Sequence, residues 1–292
     1  MSVKGQAVGG GWIVMAVVLA LSTGCSSVMS SATANLADSL TGAILNQNDP
    51  ETVRQGAPAY LLLIDGLIAE SPDNTNLLLA GAGLYSSYAG AFVEDRERAA
   101  RLSVTGRDYG WRALCSGNRS ACGSWSAPYD EFENVVSGMG TKDLRILYGA
   151  GSAWATWIMS NKSDWAAVAD KARVDAIMQR VVQLDESYDD GSAFLYLGVL
   201  ATILPEAMGG KPEEGRAAFE RAIELSGGRN LMAKVLLAEN YAKLVFDQEL
   251  YDRLCREVID ADPVAPGLTL ANTLAQEKAR ALLADSEDYF GD

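Results

Sequence analysis

The chain has 292 residues, 49% hydrophobic and 21% charged, a globular rather than a disordered balance. Its formal net charge of −14 argues against nucleic-acid binding and against docking on anionic headgroups, both of which need a basic footprint. No histidine occurs, which removes the commonest general base, the usual zinc ligand and every Ser-His or Cys-His pairing; no lysine has a serine three positions before it either.

In chain order, Lys4 precedes an apolar run from Trp12 to Leu21 that ends in Leu21-Ser-Thr-Gly-Cys25. This is the layout of a bacterial secretory signal, and the run is too short for a finished span of about 20 residues. The small residues before Cys25 suit lipoprotein processing between Gly24 and Cys25, although Ser22 stands where a branched residue is usual. Residues 1–24 are thus predicted to be a lipoprotein signal peptide, with Cys25 as the lipid attachment. An ordinary signal with a chance cysteine is the other reading. Acyl chains on Cys25 would contribute about 0.8 kcal/mol per buried methylene, and Ser26-Ser27, with no aspartate after the cysteine, favours the outer membrane.

Residues 25–48 read as a tether running into a weak first helix (Leu36, Leu40, Ile44, Leu45), and 49–285 as the folded domain, with 286–292 a C-terminal tail. Asp49-Pro50-Glu51 opens a helix that Ser71-Pro72 stops. Helices are predicted from about Thr75 to Val93, from Asp95 to Cys115, and briefly near Tyr129–Val136. The polar stretch 116–130 between them reads as a loop separating two halves; Cys115 and Cys122 within it suit a local disulfide in an oxidising compartment, while Cys255 reads as a buried structural thiol. A further helix starts at Thr141, and Ser163-Asp164 caps one that ends near Leu184. Asp185-Glu-Ser-Tyr-Asp-Asp-Gly191 superficially resembles a calcium loop but lacks its acidic ligands at the required positions, so a capped turn is the better reading.

Ala193–Leu204 and a helix opened by Pro212 form a pair, followed by Leu231–Phe246 with Asp247–Ala261. Gly215, Phe219 and Ala222 have the spacing small-x3-Phe-x2-Ala, which lets one helix approach another while an aromatic fills the groove. The fold class is all-α, as tetratricopeptide-like helix-pair repeats in a superhelical array of about 10–12 helices; a generic bundle is the alternative. Tyr148, Trp154, Trp157 and Trp165 admit two readings, the lining of a hydrophobic passage or core packing. Gly209-Gly210 is either a partner-contact loop or a helix-breaking turn.

Several strings carry a more specific signal. Asp49-Pro50-Glu51 with Ala57-Pro58, Phe92-Val93-Glu94-Asp95, Gly106-Arg107-Asp108-Tyr109, Gly209-Gly210-Lys211-Pro212-Glu213, Phe219-Glu220-Arg221-Ala222-Ile223 and Ser226-Gly227-Gly228-Arg229-Asn230 resemble the TRAP transporter T-component family over about residues 36–284. The Cys-bounded segment 115–122 is the main departure. The resemblance implies a lipid-anchored periplasmic accessory subunit of a tripartite ATP-independent periplasmic transport system. Such a subunit binds the system's solute-binding protein, can form a homotrimer and is proposed to help pass a hydrophobic solute. It implies neither catalysis, cofactor nor metal. A scaffold for envelope or outer-membrane assembly and a histidine-free hydrolase are the competing readings.

Overall fold

The computed structural model describes Ser39 and residues 41–291, in two compact units, Met1–Ala43 and Ile44–Asp292. In the first, Ser39 and residues 41–43 are helical; the predicted signal, Gly24, Cys25, Leu36 and Leu40 lie outside the described residues. The second is built of helices, and no strand occurs among the described residues.

Local signals set the first three helices. α1 (Pro50–Glu70) starts where the Asp49 side chain accepts from the Glu51 N–H, with Pro50 at the first position, and it stops at Ser71. Its buried residues Val53, Ala57, Leu61, Ile64 and Ile68 recur every three or four positions and form one face. α2 (Thr75–Phe92) is capped by Asn74 and α3 (Arg96–Gly117) by Asp95. These two helices cross closely: a Cβ on Gly106 would lie 2.5 Å from the Ser86 Oγ.

After two short 3₁₀ turns come α4 (Tyr129–Ser137) and α5 (Leu144–Ser160). The helix expected from Ser163-Asp164 to Leu184 is two helices, α6 (Trp165–Ala169) and α7 (Lys171–Leu184), broken at Asp170. Val168 and Val174 are both buried, yet on one straight helix residues six apart would point about 120° away from each other. The break brings both to the core.

α8 (Ser192–Thr202) and α9 (Pro212–Leu225) meet where Gly198 faces the Phe219 ring; a Cβ there would lie 2.6 Å from it. Gly215, Phe219 and Ala222 are all buried. Full burial of a ring such as Phe219 contributes roughly 1.5–3 kcal/mol. α10 (Leu231–Leu237) runs on through a π turn at Ala238–Ala242, where the Lys243 N–H reaches the Ala238 carbonyl. α11 (Gln248–Asp260) and α12 (Thr269–Ala284) follow. The segment read as a tail contains α13 (Ser286–Phe290), whose Phe290 packs on Tyr251.

Packing follows chain order. α2 touches α3 and α5, α5 touches α7 and α8, α8 touches α9 and α10, and α10 touches α11 and α12. The 116–130 stretch does not divide the core: one apolar cluster runs from Val53 through Leu114 and Phe132 to Leu200, and a second runs from Phe219 to Ala279. Leu270 of α12 belongs to the first cluster, and the Gly267 N–H donates to the Asn46 side chain, so the late helix returns to the start of the unit.

Candidate functional site

Tyr148, on α5, sits between two other tyrosines, with ring centroids 5.3 Å from Tyr188 and 6.2 Å from Tyr196. Its hydroxyl donates to Asp189 at 2.6 Å. Asp189 and Asp190 both have left-handed backbones (φ 52° and 55°), followed by Gly191 at 77°. Burial, with Tyr196 and Asp189 adding to it, holds the Tyr148 hydroxyl well above its usual range. Burial, followed by Asp189, pushes Tyr196 up to about 12. Both phenols are therefore neutral at physiological pH. Asp190 pairs with Arg229, so each aspartate of this turn has a protein partner. Among the described residues no three Asp, Glu or Cys side chains converge as metal ligands.

The three tryptophans grouped with Tyr148 separate. Trp154 is 1% exposed, stacked edge-on against Trp111 at 4.7 Å and Phe132 at 6.1 Å, and it lines no open passage. Its indole N–H donates to Asp170 at 3.1 Å, and desolvation raises that carboxyl's pKa. Trp157 is half-buried under the Arg107 guanidinium, 4.2 Å from its ring centroid, a cation–π contact. Trp165 is 65% exposed on α6. Helical spacing could not separate these cases, because burial depends on which neighbour covers each face.

Cys115 and Cys122 are joined by a disulfide that bounds the turn after α3, and Trp125 just beyond it leans on Trp111 at 6.1 Å. Cys255 is a buried free thiol, and burial raises its pKa to about 11. Gly209 is exposed with φ 89°, whereas Gly210 is buried, and a Cβ on it would lie 1.8 Å from the Leu204 carbonyl oxygen. The pair thus has a steric reason to be glycine apart from any partner.

Two features carry no signal in the sequence. Asp65 of α1 accepts from the Tyr85 and Tyr109 hydroxyls at 2.6 and 2.7 Å, tying α1 to α2 and α3. Burial and this carboxylate push Tyr109 up to about 12. The other is an aromatic group, Phe246, Tyr289 and Phe290, at the end of the α10 helix beside α13. Their sequence separation hid it. The site residues therefore fall into separate places, and the described surface offers helical faces and turns for contact with other molecules. No described helix is long and apolar enough to cross a membrane.

A family model described as TRAP transporter T-component matches residues 46–290. An uncharacterized protein of Treponema pallidum (strain Nichols) is 24% identical over 279 residues, covering 89% of this chain and 86% of the relative.

Proposed function

The chain belongs to the TRAP transporter T-component family, and from that premise we propose that it binds the solute-binding protein of its transport system and helps pass a hydrophobic solute. At the coarser level it is an accessory component of a TRAP transport system, associated with the cell envelope. Lipid on Cys25 holds it at the periplasmic face of the outer membrane, and it works without catalysis or cofactor. A homotrimer is part of the same reading, as is a tetratricopeptide-like arrangement of its helix pairs.

The family match over residues 46–290 carries this reading. Two kinds of physical support accompany it. Close crossings such as Gly198 on Phe219 make an unyielding helical frame, suited to holding a partner in a defined orientation. Tethering both proteins near one membrane raises their effective concentration without new contacts.

A pull-down from detergent-solubilised envelope tests partner and anchor together. Wild-type protein is expected to recover the TRAP solute-binding protein; recovery of assembly or cell-wall proteins alone would sink the transport reading. The Cys25→Ala variant is expected to leave the membrane fraction after a salt wash. If it stays, something other than lipid on Cys25 holds the protein there.

A further inference from the structure

The helix that starts with α10 ends in a turn where the Asp247 N–H reaches the Ala242 carbonyl at 2.9 Å and the Phe246 N–H reaches Lys243 at 3.3 Å. This hydrogen-bond pair places Phe246 at the position that glycine usually fills, and its φ is 62°. A bulky aromatic is poorly suited to that backbone, and here the residue is 63% exposed. Leu244, Val245 and Tyr289 are also exposed.

Three of the aromatic side chains here form one patch. Phe246 lies 5.8 Å from Tyr289 and 5.1 Å from Phe290, and Tyr289 lies 4.9 Å from Phe290. The patch rests on a rigid floor, because Phe290 packs on the buried Tyr251 at 5.2 Å and the Tyr251 hydroxyl donates to the Leu282 carbonyl. Contiguous exposed apolar groups on a rigid base are the ordinary makings of a contact surface.

The flanking sequence says what can cover it. Glu249, Glu287 and Asp288 are exposed and make no ion pair among the described residues. Lys243 is drawn over the Tyr289 ring, 4.2 Å from its centroid. An anionic lipid surface would be repelled by these acids. A second copy would bring a net charge of −14 and the same acids to the contact. A segment with an apolar side chain flanked by lysine or arginine satisfies both parts of the surface.

We propose that the Phe246–Tyr289 patch docks a basic segment of a protein partner, one apolar side chain seated on the rings and its flanking cations facing Glu249, Glu287 and Asp288. Taking the solute-binding protein as that partner rests on the function proposed above. The partner's ring contact would replace water on Phe246, and its cations would steer the encounter.

The test is a binding titration of the full chain with the purified solute-binding protein of its own transport system. Phe246→Gly is expected to weaken binding about tenfold or more, because exposed aromatic anchors dominate such contacts. Its melting temperature should not fall, since glycine suits the turn. The triple charge reversal Glu249→Lys, Glu287→Lys and Asp288→Lys should weaken binding by roughly the same factor and abolish most of its salt dependence. Leu62→Ser, on the exposed side of α1, should bind as wild type does. Affinity kept within about twofold by both patch variants, while wild type binds, overturns this surface and leaves the proposed function standing. No binding by wild type overturns the partner itself, and this proposal with it.

Discussion

α9 and the helix begun by α10 end with the same pair of hydrogen bonds. The Gly228 N–H reaches Ile223 at 2.8 Å and the Gly227 N–H reaches Glu224 at 2.9 Å, as Asp247 and Phe246 do to Ala242 and Lys243. Both turns need a left-handed residue, and φ is 59° at Gly227 and 62° at Phe246. At the first the chain uses the residue with no Cβ penalty; at the second it uses one that costs about 1–2 kcal/mol there. The backbone requirement is common to both, so it does not explain the phenylalanine. What differs is the surroundings: Phe246 has Tyr289 and Phe290 beside it, whereas a Cβ at Gly227 would meet nothing within 4 Å.

The largest effect is expected at a third turn, where glycine is needed for space. Gly210→Ala would place a Cβ 1.8 Å from a backbone oxygen of Leu204, and a loss of about 3 kcal/mol is expected on urea denaturation. A loss below about 1 kcal/mol would show that the Pro205–Lys211 turn relaxes freely.

Gly227→Ala isolates the conformational penalty, because no contact accompanies it. Stability should drop by about 1 kcal/mol, read from the same denaturation series. Phe246→Gly is the mirror experiment and should leave stability unchanged or raise it by up to about 1 kcal/mol. A clear decrease would mean that the ring stabilises the fold through Phe290, and the contrast between the two turns would lose its meaning.

The effect that is smallest at neutral pH is a pH dependence beneath the Phe246 turn. Burial raises Cys255 to about 11, above its unfolded value of 9.0, and raises Tyr251 to about 12 from 10.0. The folded state holds these protons more tightly, so this stability is fully present below pH 9 and is lost as pH climbs through 11 and 12. Denaturation midpoints measured from pH 8 upward should fall on that schedule, and Cys255→Ala should remove the earlier part of the fall. A midpoint that stays flat to about pH 12 would contradict buried, neutral groups at these positions.

The helix starts at Asp49-Pro50, Thr75 and Pro212 were legible because caps, proline and apolar periodicity act within a few residues. The Asp170 break was not: Asp170 accepts from Trp154, sixteen residues away. Among the candidate contacts, Tyr148 stands out in the sequence by its spacing alone, but its partners Tyr188, Tyr196 and Asp189 come from separate segments. Phe246 was visible only as the last residue of a predicted helix. Its left-handed turn follows from the hydrogen bonds to Ala242 and Lys243, and its exposure from what lies around it.

By itself, the amino-acid sequence determined the all-α class, most helix boundaries and the membership that the strings around Gly209–Glu213 and Ser226–Asn230 signalled. These properties rest on short-range spacing and local steric preference. Tertiary structure alone decided that Trp154 is core while Trp165 faces solvent, that one core spans the 116–130 stretch, and that Gly267 meets Asn46. Those outcomes depend on which distant surface covers each side chain, and helical periodicity holds no record of that.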